Sequence, residues 1–263
     1  FLFQHLTMTQ PQSSSRPLQI TVDTRLLLWV LFSSLVAIEL ILVFLDLYFN
    51  WQQAADSPAI RRMFNITRED GLASWFAVTQ TFVVALVLWA IFAVSARVQD
   101  NRLQRFGWLI LALFFTYMAI DDGAMVHERL GTASKNLGED SLISQYTGAF
   151  PSYAWQALFL LPLTCIGMFM LWFLWRTMPD KVSRIGIIAA LGLFGIAVAM
   201  DYIEGLEHGY TPLADAFGWS GSSVRHFAKS IEEFLEMLAM SLWLVIFLRH
   251  FARRTPEFSV HFK

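Results

Sequence analysis

The chain has 263 residues, of which 56% are hydrophobic and 15% are charged, and its mean hydropathy is +0.50. A soluble domain of this size cannot bury so much apolar surface in one core. The composition therefore excludes an ordinary water-soluble fold and predicts a membrane protein. The formal net charge of -2 gives no general attraction to nucleic acid, and the single cysteine, Cys165, excludes an internal disulfide.

The predicted organisation is one transmembrane helical domain between two tails. Residues 1–24 are polar and lack the apolar segment of a cleavable signal peptide, so we expect a flexible N-terminal tail. Residues 25–252 form the predicted transmembrane domain, and residues 253–263 form a C-terminal tail.

Six segments are long and apolar enough to cross a hydrocarbon core of about 30 Å. In chain order they cover residues 26–47, 73–96, 106–128, 153–175, 185–208 and 230–250. The predicted fold class is therefore all-α, a polytopic transmembrane helix bundle of about six spans. An even number of spans places the N- and C-termini on the same side of the membrane.

Basic residues flank the spans at one side of the predicted bundle. They are Arg16, Arg25, Arg97, Arg102, Arg105, Arg176, Lys181, Arg184, Arg249, Arg253 and Arg254. The positive-inside rule makes this side, with both termini, cytoplasmic. The connections at 48–72, 129–152 and 209–229 then lie outside, and the turn-forming residues of the middle one predict a loop.

Carboxylates and histidines concentrate at the predicted outer ends of the third, fifth and sixth spans. An ionisable residue inside a span costs roughly 2.5–3.5 kcal/mol on insertion scales, so it is rarely kept without a partner or a function. Helical spacing places seven of these residues on shared faces. The predicted metal ligands are Asp121, Glu128, Asp201, Glu204, His208, Glu232 and Glu236. The same spacing turns Asp122, His127 and Glu207 away from the centre.

So many neighbouring carboxylates require neutralisation, and three remedies stay open. A divalent metal ion would neutralise several of them, and mixed Asp, Glu and His ligands favour Mn, Fe or Zn. Shared protons would form a relay. Alternatively, Arg129, Arg225 and Lys229 would form a structural network of salt bridges.

The first span carries two further acids, Glu39 and Asp46, seven residues apart on one face. Glu39 lies in the middle of the span, where we expect it to be protonated and to form a hydrogen bond between helices. Asp46 lies nearer the outer side, at a depth that allows it to join the cluster.

Two segments carry a resemblance to known proteins. AIDDGAMVHERLG and SIEEFLEML resemble paired motifs in a group of uncharacterised bacterial multi-pass membrane proteins. The resemblance implies a location in the bacterial inner membrane and brings no activity with it. Helical zincins are excluded, because the pair His127-Glu128 lacks a second histidine four residues later.

Three hypotheses of function follow. The first is a metal-dependent protein, a hydrolase of lipid-linked or periplasmic substrates or an oxidoreductase, with Glu233 or His127 as the candidate catalytic base. The second is a non-catalytic subunit of a larger membrane complex, with or without pigments, whose aromatic residues pack against partner subunits and the lipid bilayer. The third is a proton-coupled transporter.

Overall fold

A computed structural model describes residues 23–97, 100–138 and 141–255. Within these ranges the chain is all-α, with ten α-helices and one π-helical turn, Leu47–Trp51. The helices are α1 Thr24–Asp46, α2 Pro58–Phe64, α3 Leu72–Arg97, α4 Arg102–Ala124, α5 Val126–Lys135, α6 Leu142–Ala149, α7 Ala154–Thr177, α8 Lys181–Glu204, α9 Thr211–Phe217 and α10 Gly221–Arg254. Most of the predicted N- and C-terminal tails lie outside the described residues.

Five helices among the described residues are long and apolar enough to cross a membrane: α1 with its π-helical turn, α3, α4, α7 and α8. These helices confirm the prediction of a multi-pass helical membrane protein. The sixth predicted span lies within α10, which has 34 residues and the largest share of the buried side chains. The count of six spans, the cytoplasmic termini and the bacterial inner membrane stay predictions.

Helix α10 lies at the centre of the bundle and packs against α1, α3 and α8. Helix α4 packs on α3, and α7 packs on both α5 and α8. The largest hydrophobic cluster fills the half of the bundle that lies toward the basic connections, and Trp108, Phe115 and Phe247 are fully buried in it. Apolar packing therefore holds one half of the bundle together, and the polar residues lie mainly in the other half.

Two of the predicted spans extend four residues beyond the ends of their helices. The third ends at Ala124, because Met125 adopts the left-handed conformation (φ 50°, ψ 44°) and turns the chain into α5. The fifth ends at Glu204, because Gly205 ends the helix. A β-carbon on Gly205 would contact the backbone nitrogen of Tyr153 at 2.9 Å, so a small residue is needed where α8 ends.

The connection at 129–152 is not the predicted loop. It contains most of α5 and all of α6. Its glycines and serines are compatible with helices here: Ser141 caps α6, and Gly131 lets α5 approach α7 closely. Helix α10, which contains the sixth predicted span, begins earlier than residue 230, because Ser220 caps it and Gly221 is already helical.

Candidate functional site

A cavity lies at the end of the bundle opposite the hydrophobic cluster, with about 1170 Å³ of empty space including its open mouth. Helices α3, α4, α7, α8 and α10 contribute its walls. Its acidic residues are Glu69, Asp121, Asp122, Glu128, Asp201, Glu232, Glu233 and Glu236. Arg68, Lys229 and His127 are the only other ionisable side chains among its described lining residues, apart from Tyr117. The cavity is therefore strongly acidic.

One part of the wall is apolar. Aromatic and aliphatic side chains of α7 and α8 share it with methionines of α4 and α10. They include Phe159, Leu163, Phe194, Val198, Met118 and Met240. The cavity thus has an acidic region and an apolar region in one space.

Three carboxylates come close enough together to share a cation. Asp201 and Glu204 lie in the last turn of α8, and Glu232 lies on the facing side of α10. One oxygen from each side chain lies within 4.8 Å of the others. All three are among the predicted ligands, and we call them the acidic triad.

Two oxygens of the acidic triad have no hydrogen-bond partner among the described residues. Glu232 is only 2% exposed, and its Oε1 accepts a hydrogen bond from Lys229 Nζ at 2.6 Å. Its Oε2 is buried without a donor, as is Oε2 of Glu204. Asp201 differs, because its Oδ2 accepts a hydrogen bond from Gln156 Nε2 at 3.0 Å. Buried carboxylate oxygens without donors are costly, so the triad requires a further ligand or a proton.

Lys229 lies among the acids and supplies part of their counter-charge. Besides the 2.6 Å pair with Glu232, its Nζ lies 3.6 Å from Glu233 Oε1 and 3.7 Å from Asp201 Oδ1. The predicted salt-bridge network is therefore confirmed for Lys229. Within the described residues, Arg129 and Arg225 form no ion pair.

A second constellation joins Asp121 to His127. The backbone N–H of His127 donates to Asp121 Oδ1 at 2.8 Å, and its ring Nδ1 lies 2.8 Å from Asp121 Oδ2. A carboxylate only accepts hydrogen bonds when ionised, so Nδ1 carries the proton. Burial would lower the pKa of His127, but the hydrogen bond to Asp121 and the charges of Glu128 and Asp201 outweigh it and raise that pKa.

Asp121 and Glu128 do not share the predicted helical face, because α4 ends before Met125. The chain reverses there, so His127 returns to Asp121 instead of pointing away. Glu128 lies on α5, exposed at the cavity mouth, and does not share a helical face with Asp121.

His208 also lies beyond the end of the helix on which it was predicted. Helix α8 ends at Glu204, so the seven-residue spacing between Asp201 and His208 no longer places them on one face. His208 lies exposed in the following turn and does not line the cavity. The structure therefore gives no support to His208 as a metal ligand.

The remaining predicted residues lie in the cavity wall. Glu236 and Glu233 both line it, and Glu233 is the acid paired with Lys229 at 3.6 Å. Asp122 also lines the cavity and accepts a hydrogen bond from the Thr81 hydroxyl at 3.2 Å.

Two residues of this region were missed in the sequence. Glu69 precedes α3 and lies at the mouth, where partial burial and the charge of Glu128 raise its pKa. The position of Glu69 next to the outer end of the second span could have indicated that it belongs to this region. Gln156, 1% exposed in the first turn of α7, holds Asp201. A lone glutamine at the outer end of an apolar span would have indicated it.

The two acids of the first helix are separate from the cavity lining. Asp46 is fully buried and accepts hydrogen bonds from Asn50, the backbone N–H of Ile66, His226 and Ser230. Its oxygens are saturated, so its predicted place in the cluster is wrong. Glu39 Oε1 accepts hydrogen bonds from Gln80 at 3.1 Å and Ser241 at 2.6 Å, which confirms the predicted contact between helices.

These features define a multi-pass helical membrane protein with an acidic cavity at one end of its bundle. The family described as a domain of unknown function, DUF8692, matches residues 34–250, so the chain belongs to that family. The match agrees with the resemblance to uncharacterised proteins drawn from the sequence. No curated protein and no solved structure matches the chain.

Proposed function

We propose that the protein binds a divalent cation at the acidic triad Asp201, Glu204 and Glu232, and that the cation serves hydrolysis in the cavity. The observation that carries the metal site is the pair of buried Oε2 atoms, on Glu204 and Glu232, that lack hydrogen-bond donors among the described residues. A buried carboxylate is stable when it is paired or coordinates a metal, and carboxylate oxygens are the ligands that hard divalent cations take.

The donor set favours a hard metal ion. All three ligands of the triad are carboxylates, and the histidine expected from the sequence, His208, lies outside it. Carboxylate oxygens suit Mn²⁺, Mg²⁺ and Ca²⁺, whereas Fe and Zn sites commonly include histidine or thiolate. Of the three metals predicted from the sequence, the triad therefore favours manganese.

The Asp121–His127 pair supplies the base for the proposed hydrolysis. Asp121 fixes the ring through Nδ1, and Nε2 forms no hydrogen bond with any described residue. A divalent cation held by the triad would supply Lewis acidity. His127 Nε2 would accept a proton from the attacking water while the water oxygen bonds to the carbonyl carbon of the substrate; the bond from that carbon to the leaving group then breaks, and His127 returns the proton to the leaving group.

The lining indicates the substrate class. Eight carboxylates face two permanently basic side chains, so the cavity repels a phosphate group even with one divalent cation present. Phe159, Leu163 and Phe194 offer an apolar wall beside the acids. We expect an amphiphilic ester or amide with an uncharged or cationic polar group.

The metal site is tested by Mn²⁺ titration of purified protein, with metal content measured before and after. We expect about one strongly bound ion per chain. The variants Glu204→Gln and Glu232→Gln should each weaken binding at least about 100-fold, since even the loss of an outer partner costs roughly 10–100-fold. Glu207→Gln, an exposed residue in the turn after α8, is the matched control and should bind normally. Equal binding by all variants would place the metal elsewhere.

The hydrolysis is tested separately with acyl ester and amide substrates and metal-loaded protein. His127→Asn should abolish turnover and retain Mn²⁺ binding, because the ring does not belong to the triad. Turnover that survives this substitution would remove His127 from the chemistry and leave the metal site untouched.

The polar contacts of the spans do not favour transport. Thr81 and Gln80 extend polar contacts from Asp122 toward Glu39. Beyond them the inner half is filled by the hydrophobic cluster, in which Trp108 and Phe247 are fully buried. Membership in a larger complex stays a prediction of the sequence.

A further inference from the structure

A groove runs along the bundle surface at the end opposite the acidic cavity. Helices α1 and α8 both pack on α10 but do not contact each other within the described residues, so α10 forms the floor between them. The groove has about 1560 Å³ of empty space, open to the surroundings. It lies where α1 and α8 begin and α10 ends, which is the side predicted to be cytoplasmic.

The long part of the groove is apolar. Its lining includes Trp29 and Phe32 of α1, Val182 of α8, and Val245 and Ile246 of α10. Trp29 is 68% exposed and Val182 is 61% exposed, so both present side chains to whatever fills the groove. A tryptophan near the end of a span is typical of the headgroup region of a bilayer.

The end of the groove is basic. Arg25, Arg249 and Arg253 all line it. Asp180 pairs with two of them: it lies 3.0 Å from Arg249 Nη2 and 2.7 Å from Arg253 Nη1. Arg25 forms no side-chain ion pair with a described residue. The three arginines of the groove, two of which share one carboxylate, therefore leave an excess of positive charge beside an apolar channel.

We infer that this groove is a binding site for one anionic phospholipid of the adjoining leaflet. The guanidinium groups of Arg25 and Arg253 would hold the phosphodiester, because the planar donors of arginine match phosphate oxygens. An acyl chain lies along Trp29, Val245 and Ile246. A lipid is the occupant that the surface favours over a protein helix, because the charge is confined to one end and the remainder is a narrow apolar channel.

The site is independent of the proposed metal chemistry. The groove lines the opposite end of the bundle from the acidic triad and shares no lining residue with the cavity. A bound lipid would tie α1 to α8, which do not otherwise touch in the described residues.

The test is native mass spectrometry of the full chain, released from detergent with phosphatidylglycerol or phosphatidylcholine added at equal concentration. We expect one phosphatidylglycerol retained per chain and about tenfold weaker retention of phosphatidylcholine, because its choline cation cancels the charge of the same phosphodiester and is repelled by the arginines. The double variant Arg25→Gln and Arg253→Gln should lose the preference. Arg102→Gln is the matched control, since Arg102 is exposed at the start of α4, outside the groove.

A second variant separates shape from charge. Val245→Trp fills the apolar channel and keeps every arginine, so it should reduce retention of phosphatidylglycerol about as strongly as the double variant. Equal retention of the two lipids by the wild type, retention of neither, or an equal loss in Arg102→Gln would overturn the inference.

Discussion

Buried carboxylates in this protein differ in how their oxygens are satisfied. Asp46 accepts four hydrogen bonds and is fully buried, so its role is to hold α1, the following π-helical turn and α10 together. Glu232 has one oxygen bound to Lys229 and one without a donor. Both residues are buried carboxylates. Only their hydrogen-bond partners distinguish Asp46, which is structural, from Glu232, which is a candidate ligand.

Lys229 and a metal ion should compete to neutralise the acidic triad. The variant Lys229→Met removes a positive charge 2.6 Å from Glu232 and leaves the acids to repel one another. We expect a lower melting temperature in the presence of a chelator and a larger rise on addition of Mn²⁺ than in the wild type. Arg225→Met, one turn earlier on α10 and outside the ion-pair network of the described residues, is the control. Equal responses of the two variants would contradict a shared role for Lys229 and metal.

The pair of Asp121 and His127 should make stability depend on pH. The pKa of His127 is raised in the folded protein, so its protonated form is favoured by folding. Its contribution is complete below the ordinary histidine pKa of about 6.5 and is lost as pH rises through the higher folded value.

Thermal unfolding of the wild type and His127→Gln across this range measures that contribution. The difference in melting temperature should be largest at the acidic end and shrink with rising pH. His208→Gln removes an exposed histidine and should show no such trend. A difference that grows toward alkaline pH would mean that folding favours the neutral form of His127.

At the scale of helices, the cavity depends on where α4 and α8 end. Met125 reverses the chain after α4 and returns His127 to Asp121. Helix α5, which begins there, then packs against α7. Gly131 allows this contact, because a β-carbon at that position would lie 2.6 Å from the backbone nitrogen of Trp155.

Gly131→Ala should therefore destabilise the protein and disturb the cavity. The obstacle is backbone, which cannot rotate away, so α5 must move and carry His127 with it. Overpacking of this kind costs about 1–3 kcal/mol in the free energy of unfolding. Gly148→Ala in α6 is the matched control, since a β-carbon there has nothing within 4 Å, and it should be neutral or slightly stabilising. Chemical denaturation in detergent measures both, and equal stability of the two variants would contradict the packing argument.

The sequence predicted the helices well and their ends poorly. Five of the predicted spans correspond to apolar helices, because long hydrophobic runs carry a strong signal. Depth and spacing predicted that Asp201, Glu204 and Glu232 lie close together, and one oxygen of each lies within 4.8 Å of the others. The position of His127 was not predictable, since Met125 normally continues a helix and its left-handed conformation depends on tertiary contacts. The position of His208 follows from Gly205, which ends α8, and a glycine is a signal for a helix end that the sequence does contain. From the sequence, Arg129, Arg225 and Lys229 were equivalent candidates for the counter-charge. The packing of α10 on α8 brings Lys229 next to the acids.

At the scale of the whole molecule, the bundle divides into an apolar half and a polar half. The hydrophobic cluster holds α3, α4, α7, α8 and α10 together at the basic end. Helix α1 is attached differently: Glu39 and Asp46 are its only buried residues in the described chain. In a membrane, an apolar helix face can contact lipid as favourably as another helix. Hydrogen bonds between helices therefore contribute strongly to the attachment of α1.

The attachment of α1 should therefore depend on Glu39. Its Oε1 accepts from Gln80 of α3 and Ser241 of α10, so one side chain bridges three helices. Glu39→Leu keeps an apolar side chain and removes the acceptor, which leaves Gln80 and Ser241 with fewer partners at a buried site. Glu39→Gln keeps a carbonyl acceptor and reproduces the hydrogen-bonding capacity of the protonated acid expected from the sequence.

Limited proteolysis in detergent, followed by mass spectrometry, reports the attachment through cleavage in the connection between α1 and α2. We expect faster cleavage there in Glu39→Leu, and a rate close to that of the wild type in Glu39→Gln. Val30→Leu, on the exposed face of α1, controls for changes in the helix itself. If Glu39→Gln is cleaved as fast as Glu39→Leu, the ionised carboxylate is required, and the expectation of a protonated Glu39 is wrong. If neither variant differs from the wild type, the hydrogen bonds of Asp46 and the partly buried apolar side chains of α1 hold this helix on the bundle without Glu39.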